Sequence, residues 1–96
     1  MTGIEMITKE LDEMRNKHGF DVDYDIENNS AFQLRDGATY LLTGQEYDFP
    51  LTWGREWKEK FDRKVDKDKL AIAAALIAAE LDRLNKKDED KKTEAS

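Results

Sequence analysis

An all-α fold is predicted by three features of this 96-residue sequence. The run 70–84, LAIAAALIAAELDRL, passes ten positions without a charge before Glu80 and carries six alanines. Its apolar side chains fall on nearly every azimuth, so a helix made from it has no proper solvent face and must be enclosed by other helices, of this chain or of a second copy. Segment 3–17 repeats apolar residues at spacings of three and four, the rhythm of a helix with one buried stripe, and a second segment, ending at about Leu42, supplies an apolar helix face. No two alternating segments pair up, so nothing offers a sheet. The expected architecture is a compact four-helix domain with the alanine-rich helix at its centre.

The first helix is expected over 3–17. Thr2 and Glu5 have capping-box spacing, Ile4, Ile7, Leu11 and Met14 form the buried stripe, and Gly19 is a natural stop. Residues 20–26, FDVDYDI, alternate apolar residues with Asp. A lone strand has nothing to pair with, so this segment is expected as an ordered, extended loop that lays Phe20, Val22 and Ile26 onto the helices. The second helix follows Asn28-Asn29-Ser30 with Ser30 as its cap and ends at Thr43-Gly44. Its apolar face is Phe32, Leu34, Ala38, Leu41 and Leu42. Gly37 inside it costs about 1 kcal/mol relative to Ala, which marks a close backbone approach by a helix or a ligand.

A connection over 45–51 holds the only proline, Pro50. The third helix starts near Thr52 and sets Trp53, Trp57 and Phe61 four residues apart. Asp66 or Asp68 caps the last helix. Residues 85–96, NKKDEDKKTEAS, have no aromatic and no large aliphatic side chain and are expected as a charged, flexible tail on a single helical domain of residues 1–84. So short a domain buries a small core. Self-association through the alanine-rich helix, giving a homo-oligomer, is expected to stabilise it.

The net charge of −6 is uneven: residues 1–50 hold eleven acids and four bases, residues 51–84 seven acids and eight bases. A net-acidic chain is poorly suited to grip a phosphate backbone, so no direct nucleic-acid binding is expected. The absence of Cys leaves no disulfide and no thiolate metal site. Residues 1–20, rich in Glu and Lys, do not read as a secretory leader, and the longest low-charge run is too short to span a bilayer. A cytoplasmic protein with no membrane partner is expected.

Several motifs carry candidate chemistry. Glu10 and Glu13 form E-x-x-E, and Glu59 and Asp62 form E-x-x-D; carboxylates three apart share a helix face and can reach one hard cation. Glu80 emerges from a nearly uncharged helix and needs a partner, for which Arg35 and Arg83 are candidates. Residues 21–27 open like a calcium loop, but the sixth position is Ile26 and the twelfth is Phe32, so an EF-hand is rejected. His18, the only histidine, falls near the end of the first helix, where the dipole favours a cation. Tyr24, Trp53 and Trp57 can stack on a base or cover the alanine helix, and Arg35 and Lys58 can meet phosphate. No Ser/His/Asp triad, phosphate-binding P-loop or G-x-G-x-x-G motif is present.

The order of motifs resembles a group of small uncharacterised phage and prophage proteins. The shared features are a Glu-rich first helix ending in His18-Gly19-Phe20 and then Asp21 to Asp25, the segment Gly37-Ala38-Thr39-Tyr40, the turn Phe49-Pro50-Leu51-Thr52-Trp53, and the closing Ala73-Ala74-Ala75-Leu76-Ile77-Ala78-Ala79-Glu80-Leu81-Asp82-Arg83-Leu84. Two departures stand out: Tyr24-Asp25 replaces a His-Asp pair, and Phe49-Pro50-Leu51 replaces a Trp-Pro-Trp turn. Members are sometimes labelled nucleotide pyrophosphohydrolase-like. The resemblance implies a phage protein working in the host bacterial cytoplasm on nucleotide-type molecules.

Three functions follow as expectations. The first is a counter-defence binding protein that sequesters a nucleotide-derived immune signal, with Tyr24, Arg35, Trp53, Trp57 and Lys58 as contacts, no cofactor and no catalysis. The second is a MazG-like NTP pyrophosphohydrolase holding Mg²⁺ with Glu10, Glu13, Glu59, Asp62 and Glu80. The third is an acidic inhibitor of a host nuclease.

Overall fold

The computed structural model describes the backbone of residues 1–95 and the side chains of residues 1–89. Among the described residues there are five α-helices and no strand: α1 (Gly3–Asp12), α2 (Val22–Asn28), α3 (Gln33–Thr43), α4 (Arg55–Asp62) and α5 (Asp66–Ala95). A π-helical turn, Glu13–Lys17, prolongs α1, and a 3₁₀ turn, Glu46–Asp48, follows α3.

The capping box at the start of α1 is present: Thr2 Oγ1 accepts from the Glu5 N–H and Glu5 Oε1 accepts from the Thr2 N–H, each at 3.1 Å. Gly19, at φ +73°, reverses the chain, and the Phe20 N–H reaches back to the Met14 carbonyl at 2.8 Å. Gly44, also at φ +73°, closes α3 where expected.

The expected count of four helices is one too low, because residues 22–28 are not an extended loop. Asp21 caps them, its Oδ1 accepting from the Tyr24 N–H at 2.9 Å, and Asp23 and Asp25 lie in the first turn, where the dipole favours negative charge. Ser30 is not the cap of α3. That helix begins two residues later, after Phe32, and Gln33 Oε1 instead accepts from the Ala31 N–H at 2.8 Å. Beyond Leu84, α5 continues as helix to Ala95, through the segment expected as a solvated tail; residues 85–89 are exposed, and the side chains of 90–96 lie outside the described residues.

α5 is the spine. Ala71, Ile72, Ala73, Ala75, Leu76, Ala79, Glu80 and Arg83 are buried along it. α3 packs antiparallel on one flank, tied by Arg35 to Glu80 at one end and with Leu42 beside Lys69 at the other. α1 lies on the opposite flank, where Arg15 pairs with Asp82. Between them Leu34, Ala38 and Leu41 meet Ile72, Ala73, Leu76 and Ala79, and the rings of Trp53, Trp57 and Phe61 fill the space left by the alanines.

The enclosure is not complete within one chain. Leu70, Ile77 and Leu81 on the fourth side of α5 are exposed, because the short elements of this chain cover only three sides of so long a helix. Ile4, Phe32 and Leu42 are likewise exposed, so the stripes of α1 and α3 are narrower than their spacing suggested.

Two details hold the core in register. Glu80 Oε2 accepts from Arg35 Nε at 2.7 Å, and Glu80 Oε1 accepts from Arg83 Nε at 2.6 Å. Burial pushes the Glu80 carboxyl up, but the two guanidinium groups outweigh it and hold it below the usual glutamate value. Gly37 faces Trp53: a Cβ there would fall on ring atoms Cζ3 and Cη2, with Leu76 Cδ1 only 3.3 Å away. The close approach at Gly37 is therefore made neither by a helix backbone nor by a ligand but by the Trp53 ring, from the connection before α4.

Gly37→Ala should gain about 1 kcal/mol of helix propensity and lose more to overpacking, for a net loss of about 1–2 kcal/mol, read as a lower midpoint in urea. Glu80→Gln strands the buried Arg83 guanidinium and should cost about 3 kcal/mol. In the native chain the Glu80 contribution is present above the ordinary glutamate pKa and lost as pH falls through the lower folded-state value, so the gap between native and Glu80→Gln midpoints should close in acid.

Candidate functional site: an aromatic cleft and its vestibule

The cleft is assembled from four segments that meet on the side of α5 opposite its exposed face. The turn at Gly19 brings His18 and Phe20 back over α4, where the His18 ring meets the edge of Trp57 at 5.1 Å and Phe20 lies 5.5 Å from Trp57. α2 adds Tyr24, 4.9 Å from Phe20, and turns Asp25 and Asn29 inward. The 49–54 connection lays Trp53 across Gly37. Ile72 and Leu76 of α5 help line the interior. The space enclosed is about 160 Å³.

One polar relay crosses this apolar wall. Trp53 Nε1–H donates to Asn29 Oδ1 at 2.9 Å, and Asn29 Nδ2–H donates to Asp25 Oδ1 at 2.8 Å. Asp25 is 2% exposed. Burial pushes its carboxyl above the usual aspartate value, and the Asn29 hydrogen bond and the charge of Arg15 offset this only in part. Its second oxygen has no hydrogen bond from the described residues, and Asp25 lines the cleft.

A second hollow of about 410 Å³ adjoins the cleft, with Met14, His18, Trp57, Phe61 and Ile72 lining both. This vestibule carries four cations, Lys17, Lys60, Arg63 and Lys64, against two carboxylates, Glu10 and Glu13. It is thus locally positive on a chain of net charge −6. Lys60 Nζ sits 4.6 Å from the centre of the Trp57 ring, at the boundary between the two hollows. Glu10 is pushed up, first by burial and then by neighbouring Glu13.

The structure brings together three of the five expected ligand contacts: Tyr24, Trp53 and Trp57 line the cleft. Arg35 does not join them. It is committed to Glu80, with its guanidinium 5.0 Å from the Phe32 ring centre. Lys58 is held by Asp62 at 3.2 Å and Glu46 at 3.5 Å, beside Tyr40. The Tyr40 hydroxyl donates to Asp62 as well.

The five carboxylates considered for Mg²⁺ are spread over four places. Glu10 and Glu13 border the vestibule, Asp62 is taken by Tyr40 and Lys58, Glu59 lies on the exposed side of α4 near Arg55, and Glu80 is clamped between two arginines. Among the described residues no group of three His, Cys, Asp or Glu is placed to hold a metal ion. The five therefore do not fit a shared Mg²⁺ site.

Asp25, Asn29 and the vestibule cations were not singled out from the sequence. The signals were present in part. Asp25 and Asn29 are four apart, and Lys60 and Lys64 follow Trp57 and Phe61 by three. Reading residues 20–26 as extended hid the first pair. Comparison of the chain with protein-family models, with curated proteins and with solved structures gives no match. No helix among the described residues is long and apolar enough to cross a membrane.

Because the folded state binds the Asp25 proton more tightly than the unfolded chain does, ionised Asp25 costs stability at neutral pH. Asp25→Asn should raise the urea midpoint at pH 7, and the advantage should vanish as pH falls through the raised folded-state pKa.

Proposed function

We propose that the protein binds a nucleotide-type small molecule and holds it without transforming it. The observation that carries this reading is an aromatic cleft placed directly beside a cation-lined hollow, the two sharing five lining residues. A space of about 160 Å³ takes one flat ring system but not a whole nucleotide. The ring would stack on Trp57 and Tyr24, worth about 1–3 kcal/mol. A donor on its edge would meet Asp25. The sugar and phosphates would extend into the vestibule, where Lys17, Lys60 and Lys64 supply charge-assisted hydrogen bonds of about 1.5–3 kcal/mol each before desolvation.

The groups that line the two hollows bind and orient; none is paired as nucleophile and base. This favours sequestration over turnover. Together with the likeness of the motif order to small phage proteins, it supports a counter-defence role in which a nucleotide-derived signal is removed from the host cytoplasm.

Titration calorimetry and tryptophan fluorescence against cyclic nucleotides, ADP-ribose derivatives and dNTPs test the proposal. One class should bind, quench the fluorescence and be recovered chemically unchanged. Trp57→Ala and the pair Lys60→Glu/Lys64→Glu should each weaken it at least tenfold. Binding of a ligand that donates to Asp25 should weaken as pH falls through that group's raised pKa. No heat and no quench with any nucleotide would remove the reading, and hydrolysed product would replace it with an enzymatic one.

A further inference from the structure

The exposed side of α5 carries a pattern that the fold of one chain does not use. Lys67, Leu70, Ala74, Ile77, Leu81, Leu84 and Asp88 recur at spacings of three and four through three heptads, which is the a/d seam of a coiled coil. Leu70, Ile77 and Leu81 are 52%, 48% and 56% exposed.

We propose that this seam is the contact with a second copy of the chain, the two α5 helices packing antiparallel about a two-fold axis between positions 75 and 76. Residue numbers facing each other then sum to 151. Leu70 meets Leu81 of the second copy, and Ile77 meets Ala74, so that at each central layer a large side chain fills the space over a small one. The same relation holds in reverse, as a two-fold requires.

The charges at the seam ends choose the direction. Lys67 and Asp88 are both exposed. A parallel pair would set Lys67 against Lys67 and Asp88 against Asp88, burying like charges at both ends. The antiparallel pair sets Lys67 over Leu84 of the second copy, from which its ammonium reaches one turn further to Asp88. The seam is roughly 32 Å long by helix rise. It covers a few hundred Å² per chain, at the low end of specific interfaces, so the pairing should be concentration-dependent rather than obligate. The cleft lies on the opposite side of α5 and stays open in the pair.

Sedimentation velocity of the full chain, from low micromolar to near-millimolar concentration, tests this. The mass should rise from 11.2 kDa towards twice that value. Ile77→Glu, at an exposed position that leaves the helical circular-dichroism spectrum intact, should stay monomeric throughout. Lys67→Glu and Asp88→Lys should each weaken pairing severalfold, and the double variant should restore it; in a parallel pair all four combinations would be equally repulsive. A wild-type chain that stays monomeric, pairing indifferent to Ile77→Glu, or a double variant that restores nothing would overturn the proposal. Ile77→Glu should leave nucleotide binding unchanged and Trp57→Ala should leave pairing unchanged, so the two readings fail separately.

Discussion

The architecture depends on the close approach of Trp53 to Gly37. The indole lies where any side chain on that turn of α3 would stand, against Leu76 of α5. From there its N–H reaches Asn29 at the end of α2, and Asn29 reaches Asp25. One ring therefore joins α2, α3, α5 and the connection into α4. With an alanine at position 37 the ring must move, and the relay that shapes the cleft moves with it. The glycine weakens α3 as an isolated helix. The packing it permits is what outweighs that loss.

α5 explains how so short a chain builds a core at all. Its alanines bring α1 and α3 close on two flanks, and three large rings cover a third side. Buried Glu80 and Arg83 are paired, with half-exposed Arg35 on the second Glu80 oxygen, and the partly exposed Arg15 and Asp82 pair beside them. Breaking such a set costs more than the set contributes over an apolar packing, which makes it a device of registry more than of net stability. The cleft and the exposed heptad seam occupy opposite sides of this one helix, so a binding role and a pairing role do not compete for surface.

Much of the fold was legible because its signals are local. The Thr2–Glu5 box and the stops at Gly19 and Gly44 need only neighbouring residues to act. The Trp53–Trp57–Phe61 spacing reads as one helical stripe from Thr52, but α4 begins only at Arg55, after its cap Gly54, and Trp53 lies in the connection before it. α2 was not legible, since Phe20, Val22, Tyr24 and Ile26 satisfy a period of two while Val22 and Ile26 also satisfy a helical spacing of four, and the Asp21 cap decides between them. In the site, the aromatic members were readable by type and spacing. The cations were not. Arg35 and Lys58 are taken by carboxylates, one of them 45 residues away, and only tertiary packing reveals that Lys17, Lys60, Arg63 and Lys64 line the hollow beside the cleft instead.

Hydrogen exchange at the two indole N–H groups, followed by nuclear magnetic resonance, addresses the keystone contact directly. The Trp53 indole proton, bonded to Asn29 beneath α3, should exchange only as slowly as the most protected amides of α3 and α5, through opening of the core. A Trp53 indole proton that exchanges at the rate of free indole while those amides stay protected would contradict the account, because the ring would then not be seated on Gly37.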